Sequence, residues 1–335
     1  MAPTTFGRIV REDDRISLVT VGHPHYRGGV KTERDLSLPA MLVTVVLWAS
    51  AFVGIRAVGD TFSPGSLTLG RLVVGAIALT FFARPRTTAL PTGRPLLLVV
   101  LYGVVWFGAY NLALNAAERD LDAGTTALIV NVGPIFAAVI AGVLYKEGFP
   151  KPLMIGMGIA FGGVALIALS ADSDSSAVET ASTTGVVLCI AAAAFYAFGA
   201  LAQKPALRHM QPIMSVWLGC LVGVVVCLPF APALIDELSG ASLHDILWLA
   251  YLGVFPTAIG FSTWSYALKR ISTGKAASTT YLVPAVATLI SWAVLDEVPA
   301  ALAFVGGALC LVGVAITRLK STPKDTPVDE QAPAS

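Results

Sequence analysis

Long apolar runs alternate with short polar breaks along almost the whole chain. The runs fall near 39–58, 67–83, 95–115, 123–144, 152–170, 185–203, 213–231, 245–267, 276–295 and 299–317. A helix needs about 20 mostly apolar residues to cross the hydrocarbon core of a bilayer. The pattern therefore predicts an all-α integral membrane protein with ten transmembrane helices. The breaks carry turn chemistry, as in Ser63-Pro64-Gly65, Pro91-Thr92-Gly93, Phe149-Pro150-Lys151-Pro152 and Pro229-Phe230-Ala231-Pro232. A polar arm, 1–38, and a tail, 318–335, flank the runs and are expected to be disordered. An acidic, hydroxyl-rich linker at 171–184, with Asp172, Asp174 and Glu179, separates the halves 39–170 and 185–317.

Charge then sets the orientation. Of the 22 Lys and Arg, all but Arg56, Arg71 and Arg119 fall on one side of a ten-span topology. They occupy the N-terminal arm, Arg84, Arg86, Arg94, Lys146, Lys151, Lys204, Arg208, Lys269, Arg270, Lys275, Arg318, Lys320 and Lys324. Basic loops stay in the cytoplasm, so both termini are expected there, in a multi-pass protein of the cell membrane. The arm has no apolar stretch of signal-peptide length, so the first helix should insert uncleaved. Charged residues make up only 13% of the chain, against roughly 25% in a soluble domain. A net charge of +1 predicts no nucleic-acid partner.

Cys189, Cys220, Cys227 and Cys310 lie inside apolar runs and read as small buried hydrophobes. His23, His25, His209 and His244 lie outside them, so neither metal nor cofactor is expected. The glycines of Gly156-x-Gly158 and Gly162-Gly163 lack the Lys-Ser/Thr of a phosphate loop and read as close helix packing.

The halves repeat each other. At an offset of 150, Gly103, Ala117, Gly124, Pro134, Glu147, Gly156 and Gly163 fall on Gly253, Ala267, Gly274, Pro284, Glu297, Gly306 and Gly313. At 148, Trp48, Arg56 and Pro64 fall on Tyr196, Lys204 and Pro212. Chance similarity of apolar helices would match leucines and alanines, but not these prolines and glutamates. Five spans is an odd number, so the second copy enters the membrane from the opposite face. The chain reads as two inverted five-helix repeats, a common plan of secondary transporters.

The segment Trp48-Ala49-Ser50-Ala51-Phe52, Arg71 and the block Gly124 to Gly163, matched again by Gly274 to Gly313, resemble the drug/metabolite transporter superfamily. The resemblance spans about 39–317 and is nearest to ten-helix members with two EamA-type repeats. It implies a substrate cavity lined largely by the first, third, fourth, sixth, eighth and ninth helices. Family substrates include amino acids, purines, sugars and nucleotide sugars. The small multidrug exporters related to the family use a glutamate in their first helix; residues 39–58 contain none.

Candidate wall residues follow from polarity and repeat position. Pro134 and Pro284 each free a carbonyl four residues earlier, at Val130 and Thr280. Such groups need protein or a wet cavity, so both prolines read as kinks facing the cavity, against simple packing kinks. Asn131 and Tyr281 stand three residues before them. Asn131 would contact ligand or glue helices together. Ser278, Thr279 and Thr280 would satisfy the kinked backbone. Trp48 and Tyr196 would stack on substrate or simply pack; Trp106, Tyr110 and Asn111 face the same choice. Trp264 stands nearer the cytoplasmic end and suits an interfacial belt. Arg71, near the outer end of the second helix, either snorkels to headgroups or contacts an anion at an outer gate. Glu147 and Glu297 suit helix N-terminal capping.

No Asp, Glu or His stands mid-span, so exchange or facilitated flow fits better than a carboxylate proton relay. The expected partners are a small uncharged or zwitterionic molecule and the lipid bilayer. Oligomeric state is left open, and a monomer fits. The leading reading is an exporter of a small polar metabolite such as an amino acid. A membrane-embedded enzyme would need a catalytic cluster at membrane depth, and a non-transporting scaffold is the third reading.

Overall fold

The computed structural model describes residues 8–12, 15–19, 35–83, 90–144, 151–170, 182–271, 276, 279–296 and 301–316. Gly274, Ser278, Glu147, Glu297, the linker acids and the basic residues at 84, 86, 146, 275, 318, 320 and 324 lie outside them. The chain divides into residues 1–35 and residues 36–335.

Within the first unit, Arg8–Glu12 and Arg15–Val19 pair antiparallel, with Ile9 opposite Leu18 and Glu12 opposite Arg15. Disorder was the expectation for this arm; the alternating β-branched and charged residues of the two segments suit a short hairpin.

In the second unit the described residues form ten apolar helical rods. Helix 1 is Ser37–Val58, helix 2 Pro64–Ala83, helix 3 Arg94–Ala117, helix 6 Thr183–Ala206 and helix 8 Leu243–Arg270. Helix 4 runs as Ala123–Val130 and Gly133–Leu144. Helix 5 is Lys151–Ser170 and helix 10 Ala301–Ile316. Helix 7, Pro212–Cys227, passes through a 3₁₀ turn at Leu228–Phe230 into Ala231–Gly240. Helix 9, Val283–Leu295, follows a 3₁₀ turn at Thr280–Leu282. The starts are set locally. Asp122 accepts from the Thr125 amide at 2.8 Å. Ser242 and Asp245 form a capping box, and Pro212 opens helix 7 where a missing N–H costs nothing.

The halves are interleaved, and among the described residues their main contacts occur twice with roles exchanged. Helix 1 packs on 8 and 9 as helix 6 packs on 3 and 4; helix 2 packs on 8 as helix 7 packs on 3. Helices 2 and 7 meet each other, as do 5 and 10. Both third members carry a π-helix at the same repeat position, Gly103–Tyr110 and Gly253–Gly260. Helices 5 and 10 touch backbone to backbone. A Cβ on Gly163 would collide with the Gly306 carbonyl, and one on Gly313 with the Gly156 carbonyl. Gly158 and Gly162 meet nothing within 4 Å, so only part of the glycine run serves packing. Large apolar side chains stand exposed around the bundle, among them Phe81, Phe82, Val225, Leu289 and Trp292. Water would penalise such a belt, and lipid accepts it.

Candidate functional site

The breaks in helices 4 and 9 meet in the middle of the bundle. Gly133 and Val283 begin the segments that carry Pro134 and Pro284, so each proline follows a break and opens a new helical stretch. The two sides are tied by one side chain: Asn131 Nδ2 donates to the Thr280 carbonyl at 3.3 Å. That is the carbonyl Pro284 frees. Asn131 Oδ1 is buried and has no partner among the described residues.

Beside this junction lies a cavity whose empty space, counted with the open solvent at its mouth, is about 610 Å³. Helix 1 contributes Trp48 and Phe52, helix 2 Arg71, and helix 3 Trp106, Tyr110 and Asn111. Asn131 and Pro134 come from helix 4, Tyr196 from helix 6, Phe261 from helix 8, and Thr280 and Val283 from the turn into helix 9. Every predicted wall residue except Trp264, Tyr281 and Pro284 therefore borders one space.

The exceptions have physical reasons. In a 3₁₀ turn, side chains three apart eclipse each other. Thr280 and Val283 share the cavity side of Thr280–Leu282, and Tyr281 and Pro284 share the next one. Pro284 instead borders a groove with Leu289, Trp292 and Phe304 on the outer face. Equating Tyr281 with Asn131 by repeat position fails because helix 4 breaks there through a different turn. Trp264 is fully buried, not part of an interfacial belt, and donates its Nε1 to Gln203 Oε1 at 3.1 Å. It stands behind Trp48, with ring centroids 5.1 Å apart.

Aromatic rings form one end of the cavity. Trp48 lies 5.2 Å from Phe261 and 6.1 Å from Trp106, and Trp106 meets Tyr196 edge-on at 5.2 Å. Small residues admit these rings: a Cβ on Gly199 would sit 2.7 Å from Trp106, and one on Gly133 2.7 Å from Tyr196. Beyond the rings, toward the N-terminus of helix 1, polar side chains seal the bundle. The Thr44 and Thr263 hydroxyls share a hydrogen bond at 2.8 Å. Gln203 Nε2 donates to Ser265 Oγ at 2.9 Å. Gln203 and Phe261 were missed in the sequence; an amide at the end of an apolar run was the available signal for the first.

Arg71 does not reach out to headgroups. Helix 2 begins at Pro64, so Arg71 stands about two turns in. It is 3% exposed. Its Nε donates to Thr257 Oγ1 at 3.2 Å, and Thr257 Oγ1 donates in turn to the carbonyl of Leu252, the residue just before the π-helix. Asn111 Nδ2 serves the other π-helix, donating to the Trp106 and Phe107 carbonyls at 3.0 Å each. A π turn leaves carbonyls that the regular helix would have paired, and these side chains occupy them. Glu118, just after helix 3, is 1% exposed.

Comparison with known proteins agrees with this architecture. A crystal structure of 18% sequence identity superposes with a TM-score of 0.57, over 85% of this chain and 97% of its own. The "Probable terminal-alkyne amino-acid exporter" of Streptantibioticus cattleyicolor is 34% identical, over 82% of this chain and 91% of that protein. The "Probable amino-acid metabolite efflux pump" of Escherichia coli is 27% identical, over 82% and 92%. Residues 36–169 and 183–319 each match the EamA-like transporter family, and the chain belongs to that family.

Proposed function

We propose that this protein is a secondary transporter that exports a small polar metabolite, an amino acid or a close relative, by alternating access between its inverted repeats. One observation carries this reading: a single cavity is walled by side chains from both repeats. Rocking one repeat against the other would expose the same walls to either side of the membrane. Aromatic faces would hold the apolar part, and Arg71, Asn111, Asn131 and Thr280 would orient the polar part. The relatives named as amino-acid exporters support the substrate class and the direction. The distribution of Lys and Arg supports both termini in the cytoplasm of a cell-membrane protein. In that orientation the aromatic rings and the Thr44–Thr263 and Gln203–Ser265 bonds close the cytoplasmic end. The chain performs translocation and no covalent chemistry.

Flux from proteoliposomes preloaded with labelled amino acids tests the proposal. Wild type should release at least one of them faster than protein-free vesicles. Trp48→Ala should abolish that release while the protein stays monodisperse. Release equal to protein-free vesicles for the whole set of common amino acids would overturn the amino-acid reading.

A further inference from the structure

We propose that Arg71 is the carboxylate anchor of the cavity and that Asn131 Oδ1 receives the ammonium of the same ligand, so that the site selects α-amino acids by both charged groups. This rests on the transporter reading above and deepens it.

A guanidinium has five N–H donors and stays charged. Arg71 is buried, and among the described residues its one hydrogen bond, from Nε to Thr257, leaves Nη1 without a partner. Among the described residues no carboxylate meets its charge at ion-pair distance. A buried charge lacking a partner is costly, and charges kept inside a membrane face the pathway. Arg71 borders the cavity, so an anion there would complete it. A carboxylate matches the planar fork.

Asn131 supplies the complementary group. Its amide nitrogen is committed to the Thr280 carbonyl, which fixes the amide plane and leaves Oδ1 as a buried acceptor. An ammonium is a donor with no acceptor capacity, and the aromatic faces nearby favour a cation as well. Arg71 and Asn131 border the same space from helices 2 and 4. The anchor is also tied to the conformational change. Its orienting partner, Thr257, belongs to the opposite repeat. Movement between the repeats would alter the Arg71–Thr257 contact and with it the grip on the carboxylate.

The test takes the fastest-moving amino acid in proteoliposomes and compares it with its decarboxylated amine and its deaminated acid. Wild type should move the amino acid about 10- to 100-fold better than either, the range expected for losing a charge-assisted hydrogen bond. In Arg71→Gln the amino-acid-to-amine ratio should collapse toward one. In Asn131→Leu the amino-acid-to-deaminated-acid ratio should do so. These ratios come from one preparation, so partial misfolding cannot imitate the result. Thr257→Val, which keeps the charge but removes its guide, should raise the half-saturating amino-acid concentration. Wild type moving the amine as well as the amino acid would overturn the anchor, as would an unchanged ratio in Arg71→Gln. Both results leave the transporter reading standing. Absence of flux for every amino acid in wild type would remove that reading and the anchor together.

Discussion

Arg56 and Lys204 stand 148 positions apart and cap the same place in opposite repeats. Arg56 Nη1 donates to the Glu118 carbonyl at 3.1 Å, at the end of helix 3. Lys204 Nζ donates to the carbonyls of Leu268 and Ile271, at the end of helix 8. Each is answered by its neighbour: Arg119 donates to the Gly59 carbonyl at 3.3 Å, and Lys269 to the Met210 carbonyl at 2.9 Å. Cations there satisfy carbonyls left over at helix ends and complement the negative end of the helix dipole.

Arg56→Ala and Lys204→Ala should each lower stability by about 1 kcal/mol, from the lost caps and dipole pairing. The double variant should lose the sum, because the two sites share no partner. Thermal unfolding in detergent reads this out. Neither change should alter which substrate is preferred, since neither residue borders the cavity.

The crossing of helices 5 and 10 makes a contrast between neighbouring glycines. Gly163→Ala and Gly313→Ala should destabilise by about 2–3 kcal/mol, because a methyl would meet backbone that has no free rotamer to yield. Gly162→Ala and Gly158→Ala should be neutral or stabilising, since a Cβ there meets nothing and alanine favours helix. A melting temperature measured for each of the four variants decides it.

Helix 9 separates wall from exterior at adjacent positions. Thr280→Val should reduce flux, and Tyr281→Phe and Pro284→Ala should leave substrate affinity within about twofold, the scale of changes that remove no direct contact. Asn131→Ala should cost about 1–2 kcal/mol of stability as well as transport, because it strands the Thr280 carbonyl. Flux and thermal stability measured on the same preparations separate these effects.

Orientation can be read with an impermeant thiol reagent. The four native cysteines are buried, so they give a low background and can be replaced. Ser239→Cys, at the end of the Ala231–Gly240 continuation of helix 7, should label in intact cells. His209→Cys, after helix 6, should label only after permeabilisation. The reverse pattern would invert the topology derived from the basic residues.

The spans were legible because bilayer thickness imposes a length on every apolar run, and the break at Ser63-Pro64-Gly65 marks a helix start by local chemistry. The inverted repeat was legible because Pro134 with Pro284 and Gly163 with Gly313 keep one register. Within the site, Trp48, Asn131 and Tyr196 could be named as polar or aromatic residues in apolar surroundings.

What the sequence by itself determined is thus the number of helices, their duplication and the residue types available at membrane depth. Only the tertiary structure decided which faces of those helices meet. Helical phase across a break depends on the turn that forms there, so the 3₁₀ turn placed Thr280 on the cavity and Tyr281 beside it. Depth depends on where a helix starts, so Arg71 became a buried cation held by Thr257. Both sit in contacts between segments 149 and 186 residues apart, which local pattern does not encode.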